Sequence, residues 1–203
     1  MIAGRWRAAL AAACMAATVA VPSPVRAGGP SSLKAGKCCP LIVKKSGSYV
    51  LNGNLQPNGA NVDAIEVDAS NVTIDLNGFS IIGPSKAGSG IGVDAAAQTN
   101  VTIKNGSVSQ MGGSGIAVGS YGVVRNVTAT GNGVGGSGSG IQCTGAACFV
   151  SNCVTGSNAS QGLSFLDASS GYQDNVINGN LNGTVLLGTD MGGNVCNGVH
   201  GCP

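Results

Sequence analysis

Asp75, Lys104 and Arg125 are the residues whose types and spacing best support chemistry in this chain. Each ends a short run of alternating character: Val72-Thr-Ile-Asp75, Val101-Thr-Ile-Lys104 and Val123-Val-Arg125. Ser151 and Asp174 end comparable runs further along. A period of two sends successive side chains to opposite faces of a strand. If neighbouring runs pair, Asp75 stands beside Lys104 and Lys104 beside Arg125, about 4.8 Å from strand to strand. A one-residue slip would turn Ile74, Ile103 and Val124 outward, which the apolar pattern forbids. Such a ladder of mixed charge is a surface on which a charged ligand could dock. It is also what a solvated sheet face uses for cross-strand pairing. Turnover there would need a base. Lys104 is flanked by the Asp75 carboxylate, and a guanidinium is a poor base. No residue is therefore assigned a catalytic role.

A second set of carboxylates is Glu66, Asp68 and Asp94. The same alignment expects Glu66 in one outward column and Asp68 stacked on Asp94. Stacked carboxylates repel unless a cation or a proton lies between them. Calcium is the cation such oxygens would take, but it asks for six to eight ligands. No metal or other cofactor is assigned. A zinc site is disfavoured, because no paired CxxC spacing exists and the single His200 stands alone.

These residues need a scaffold that repeats. A small residue followed by an aliphatic one recurs at Ala64-Ile65, Gly90-Ile91, Gly115-Ile116, Gly140-Ile141, Gly162-Leu163 and Thr184-Val185. An Asn recurs after the alternating runs, at Asn77, Asn105, Asn126, Asn152 and Asn175. Between the runs lie clusters of Gly, Asn and Ser, and no stretch holds a capped helical period. Strands of four or five residues cannot bury an apolar face alone. Stacked on copies of themselves they can, and stacking also pairs their edges. A unit of 22–26 residues with two or three short strands is one coil of a parallel β-helix. Gly and Asn supply its left-handed corners, and Asn at equivalent corners can form a hydrogen-bonded ladder.

The runs Gly47-Ser-Tyr-Val-Leu-Asn-Gly-Asn-Leu55 and Asn71-Val-Thr-Ile-Asp-Leu-Asn-Gly78 resemble the opening of bacterial right-handed parallel β-helix repeat proteins of the pectate-lyase-like superfamily. The resemblance covers roughly residues 38–200. It implies an all-β, right-handed parallel β-helix of six or seven coils, with an N-terminal cap around 38–50. It implies no single activity, since fold does not carry function across such a group. Acid and base residues of the enzymes in that superfamily line up on one exterior sheet, as Asp75, Lys104 and Arg125 would here.

The repeat also assigns the interior. Val67, Val93, Val118, Cys143, Phe165 and Leu187 are expected in one inward column, and Cys148 is expected to align with Val101 and face in. Core filling or a local disulfide is the expected role of Cys143, Cys148 and Cys153, with connectivity left open.

Residues 1–27 read as a secretory signal. Arg5 and Arg7 precede the apolar stretch 10–21, and Val25-Arg-Ala27 offers a cleavage site. The apolar run is too short to span a bilayer. Cys14 lacks the large aliphatic residue three places before it that lipidation would want. The domain is then 28–203, secreted or periplasmic, where disulfides are chemically available. Removal of the signal takes three of the ten basic residues, leaving a net charge of −1, no Trp and seven cysteines. An odd count leaves at least one thiol without an intrachain partner.

Composition closes off several functions. The full chain has a net charge of +2 and only 9% charged residues, with no dense basic cluster. A nucleic-acid binder relying on phosphate contacts is excluded on that ground. Lys34, Lys37, Lys44 and Lys45 read as a solubilising cluster. The Gly-rich run 131–140 falls between equivalent strands and reads as a loose corner loop. Aromatic residues are scarce, at 3%, so walls for a deep carbohydrate cleft are few. The expected function is a non-catalytic exported protein that binds an acidic polysaccharide or cell-surface polymer, or serves as a rigid rod. The alternative is a polysaccharide lyase or epimerase.

Overall fold

The computed structural model describes residues 29–34 and 36–202, without the side chain of Cys38. Residues 1–27, expected to be a secretory signal, with Arg5, Arg7 and Cys14, lie outside the described residues. Every described regular element is a strand or bridge. Among the described residues, no helix is long and apolar enough to cross a membrane.

The chain is a parallel β-solenoid. One wall is a seven-stranded sheet to which each coil contributes one strand, from Leu41–Val43 through Ile65–Val67, Val93–Ala95, Ile116–Val118, Ile141–Cys143 and Leu163–Phe165 to Val185–Leu186. The remaining strands form a fifteen-stranded sheet. It wraps a corner of the coil, because Val101–Ser109 and Val123–Thr130 run through that corner without a break. The residues expected as a cap, 38–50, include Leu41–Val43 and most of Gly47–Leu51, which pair in parallel with the next coil. At the far end the ladder closes on a short antiparallel turn, Val195–Cys196 against Val199–His200, tied by a Cys196–Cys202 disulfide.

Asn makes the corners. Asn77, Asn105, Asn126 and Asn152 all have φ between 52° and 60°, the left-handed region that Asn tolerates better than branched residues. Asn71 and Asn100 mark a second corner in the same way. Equivalent amides then bond along the axis. Asn100 Nδ2 donates to Asn71 Oδ1 at 2.8 Å, and Asn126 Nδ2 to Asn105 Oδ1 at 3.2 Å. A buried ladder runs deeper, with Asn132 Nδ2 donating to Asn158 Oδ1 and Asn158 Nδ2 to Asn180 Oδ1. Such ladders satisfy backbone and amide groups that burial would otherwise leave unpaired.

The core is a set of apolar columns. Ile74, Ile103, Val124, Val150 and Tyr172 stack in register. Leu55, Ile81, Val108, Ala129, Thr155, Ile177 and Cys196 form another. Each fully buried Val, Leu or Ile contributes roughly 1.5–3 kcal/mol.

The expected inward column needs two corrections. Val118, Cys143 and Phe165 do stack, but Val93 pairs with Ile65 and Ile116, one column over. Ala95 takes the place beside Val118. The true repeat mark in that coil is Gly92-Val93, not Gly90-Ile91. Leu187 also leaves the column. The last strand ends at Leu186, and Leu187 turns to φ 56° and is exposed. Cys148 is buried as expected. The Gly-rich run is no loose loop. Gly133 N–H donates to the Met111 and Gly113 carbonyls, and Asn132 and Ser139 are buried.

Candidate functional site

The outer face of the larger sheet carries the charged ladder in the expected register. Asp75 pairs with Lys104, and Lys104 with Arg125. Their flanking neighbours Ile74, Ile103 and Val124 are fully buried, so the alternation holds these three side chains outward. Lys104 Nζ reaches Asp75 Oδ2 at 3.1 Å. Asp75 also accepts the Asn77 N–H at 2.8 Å and the Asn105 side-chain amide at 3.1 and 3.2 Å. Partial burial would raise its pKa. The Asn77 N–H, Lys104 and Asn105 outweigh that and hold it below its ordinary value. The carboxylate is therefore fully engaged. Arg125 is exposed and forms no ion pair among the described residues.

The column continues through Ser151 to Gln173. Asp174 is not part of it. It takes the left-handed corner position, with φ 55°, that Asn fills in earlier coils. Asn175 is moved inward by one place, where its Oδ1 accepts the Cys153 N–H and its amide bonds Asn194. The ladder thus ends on an amide rather than a second carboxylate.

A neighbouring outward column was missed by reasoning from charge. Thr73, Thr102, Val123 and Phe149 are paired in sequence. Val123 and Phe149 are half-buried, and Phe149 is diagonal to Arg125. Diagonal positions sit about 7–8 Å apart, within reach of aromatic and long side chains. The signal was available: with Cys148 aligned to Val101, Phe149 falls opposite Thr102 and must face out. A guanidinium beside an aromatic surface suits an acidic sugar. The guanidinium grips a carboxylate in bidentate fashion, and the ring offers an apolar face.

The acidic set is arranged differently from expectation. Asp94 pairs with Glu66, not Asp68, because Val93 belongs one column over. Asp68 still lines the same small cavity of about 140 Å³ with Glu66, Asp94 and Gln98. Asp94 Oδ1 accepts the Ala96 N–H at 3.0 Å. Asp63, nearby, has its pKa raised by burial, with the Asp94 charge adding to that effect against the Ile91 N–H bond. Among the described residues, no group of three or more His, Cys, Asp or Glu side chains is placed to hold a metal ion.

Further along the same smaller sheet, in the column of Glu66 and Asp94, a groove of about 480 Å³ runs beside the Gly-rich segment. Ser114, Ser139, Gln142 and Ser164 line it, with Leu166 and Leu186 at one end. Its side chains carry no charge. Ser114 Oγ donates to Gln142 Oε1 at 3.4 Å and accepts the Ser139 N–H at 3.1 Å.

The chain matches no protein-family model, no curated protein and no solved structure.

Proposed function

We propose that this chain is an exported, non-catalytic β-helix that binds an acidic polysaccharide or cell-surface polymer on the face carrying Asp75, Lys104 and Arg125. One observation supports this reading above the others. Asp75 is committed to Lys104, so Arg125 is the uncompensated cation of the ladder, diagonal to the half-buried Phe149. A repeating polymer suits a repeating surface, since successive coils present successive contacts about 4.8 Å apart. The coil length, the Asn corners and the run Asn71-Val-Thr-Ile-Asp-Leu-Asn-Gly78 support placing the chain with the bacterial, pectate-lyase-like right-handed β-helix proteins. Secretion or a periplasmic location follows from the signal pattern of residues 1–27.

The test is a single incubation with two readouts. A polyuronate is mixed with the protein, with and without calcium. Retention on the polymer is measured alongside formation of unsaturated product. Retention without product is the expected result. Product that accumulates with time would replace the binding reading by the lyase one.

A further inference from the structure

We propose that Cys143 and Cys148 form an intrachain disulfide that closes the corner Thr144–Ala147, leaving Cys153 as a buried single thiol. The geometry of the preceding coil carries the argument. Val118 pairs with Cys143. Gly122 lies opposite Cys148, because Val123 pairs with Phe149. A Cβ placed on Gly122 would lie 2.7 Å from the Val118 Cβ. The backbone at this corner therefore brings these two positions together, so closely that only Gly fits at 122. The Cys-bearing coil has one more residue in its corner, 144–147 against 119–121. That extra residue relaxes the approach toward the Cβ separation of about 3.5–4.5 Å that a disulfide requires.

The side chains point the same way. Cys143 and Cys148 are both buried. Cys148 Sγ lies 3.2 Å from the Gly119 carbonyl, the residue after Val118. It thus reaches back across the corner toward the Cys143 end. Thr144 Oγ1 donates to the Ala96 and Val118 carbonyls and pins the segment between the two sulfurs. Cys153 is the wrong partner. The strand Phe149–Ser151 separates it from Cys148, which at about 3.3 Å per residue puts it on the order of 10 Å away or more. Its own sulfur faces the Ser151 and Val124 carbonyls.

The two thiols are unequal. The Cys143 thiol bonds the Cys148 sulfur and, against burial, lowers its pKa to about 7, with help from Gly122, Ser170 and Gly145. The same contact and burial raise Cys143. Burial pushes Cys153 up to about 12. This inequality belongs to the packed corner; before packing either thiolate can attack first, with the same overall balance. With Cys148 leading and a small disulfide such as oxidised glutathione as oxidant, Cys148 attacks one of the oxidant's sulfurs and releases the first glutathione thiolate. Cys143, deprotonated, then attacks the Cys148 sulfur and displaces the second. Two thiols lose two protons and two electrons, and the oxidant leaves as two molecules of reduced glutathione. Because both sulfurs are enclosed in the folded coil, the exchange belongs to the stage before this corner packs.

The full chain is refolded in a reduced and oxidised glutathione mixture. It is then alkylated under denaturing conditions and mapped by mass spectrometry. The expected result is a Cys143–Cys148 link with Cys153 alkylated. Alkylation of both Cys143 and Cys148, or pairing of either with another cysteine, would overturn the proposal. A second measurement uses the Cys143→Ser/Cys148→Ser variant, which should melt about 4–8 °C below the oxidised parent. Its Tm should also equal that of a Cys148→Ser variant. If the double variant does not fold, the mass map of the parent decides alone.

Discussion

Lys104 Nζ lies 3.1 Å from Asp75 Oδ2, one coil away in the same outward column. This pairing spends the ladder's one carboxylate and leaves Arg125 as its available cation. The binding proposal depends on that asymmetry.

The pair has a pH signature. The Asp75 pKa is lowered in the folded chain, so its contribution to stability is complete above its ordinary value of 3.8. The contribution is lost as pH falls from there through the lowered folded value. Asp75→Asn is expected to be less stable than the parent by about 0.5–1 kcal/mol near neutral pH. The two should converge once pH falls below the lowered folded value. Thermal melts across that range check this, and a gap that persists in acid would mean that packing, not charge, sets the difference.

Val118 is fully buried between Cys143 and Ala95. Val118→Asp would leave a carboxylate without a partner among packed coils, at a cost of about 3–5 kcal/mol. Urea unfolding measures the loss. A variant as stable as the parent would show that the register of the smaller sheet is wrong.

Thr155 stands in an otherwise apolar column, and its buried hydroxyl has no hydrogen-bond partner. Thr155→Val removes that orphan and keeps the branched shape. A gain of about 1 kcal/mol is expected in chemical denaturation. Destabilisation would mean that the hydroxyl is satisfied in solution.

Much of this architecture was legible because the solenoid repeats its own errors and successes. Asn marks the corners, and alternation sets Ile74, Ile103 and Val124 inward and Asp75, Lys104 and Arg125 outward. The misplacements of Val93 and Asp94 share one physical cause. Alternation fixes a strand's register only to within two residues, so Gly90-Ile91 and Gly92-Val93 fit the repeat equally well. That shift placed Asp94 beside Asp68 instead of Glu66. Asp174 was misplaced because the sixth coil of the smaller sheet's order uses Asp, not Asn, at its left-handed corner. Leu187 fell out of the core because its strand has only two residues. Phe149 was overlooked because an apolar residue in a strand invites an inward reading, although its neighbours Cys148 and Val150 already occupy the interior. The groove beside residues 131–140 depends on packing of a Gly-rich segment, for which the pattern of residue types carries no signal.

The most direct test of the binding account is calorimetric titration of the full chain with a uronic-acid oligomer at low salt. The comparison is between the parent, Arg125→Ala and Lys86→Ala, the last removing a cation remote from the ladder. Loss of a charge-assisted contact should weaken binding about tenfold or more in Arg125→Ala, and Lys86→Ala should match the parent. Equal affinity in the parent and Arg125→Ala, or no heat of binding in the parent at all, would contradict the account.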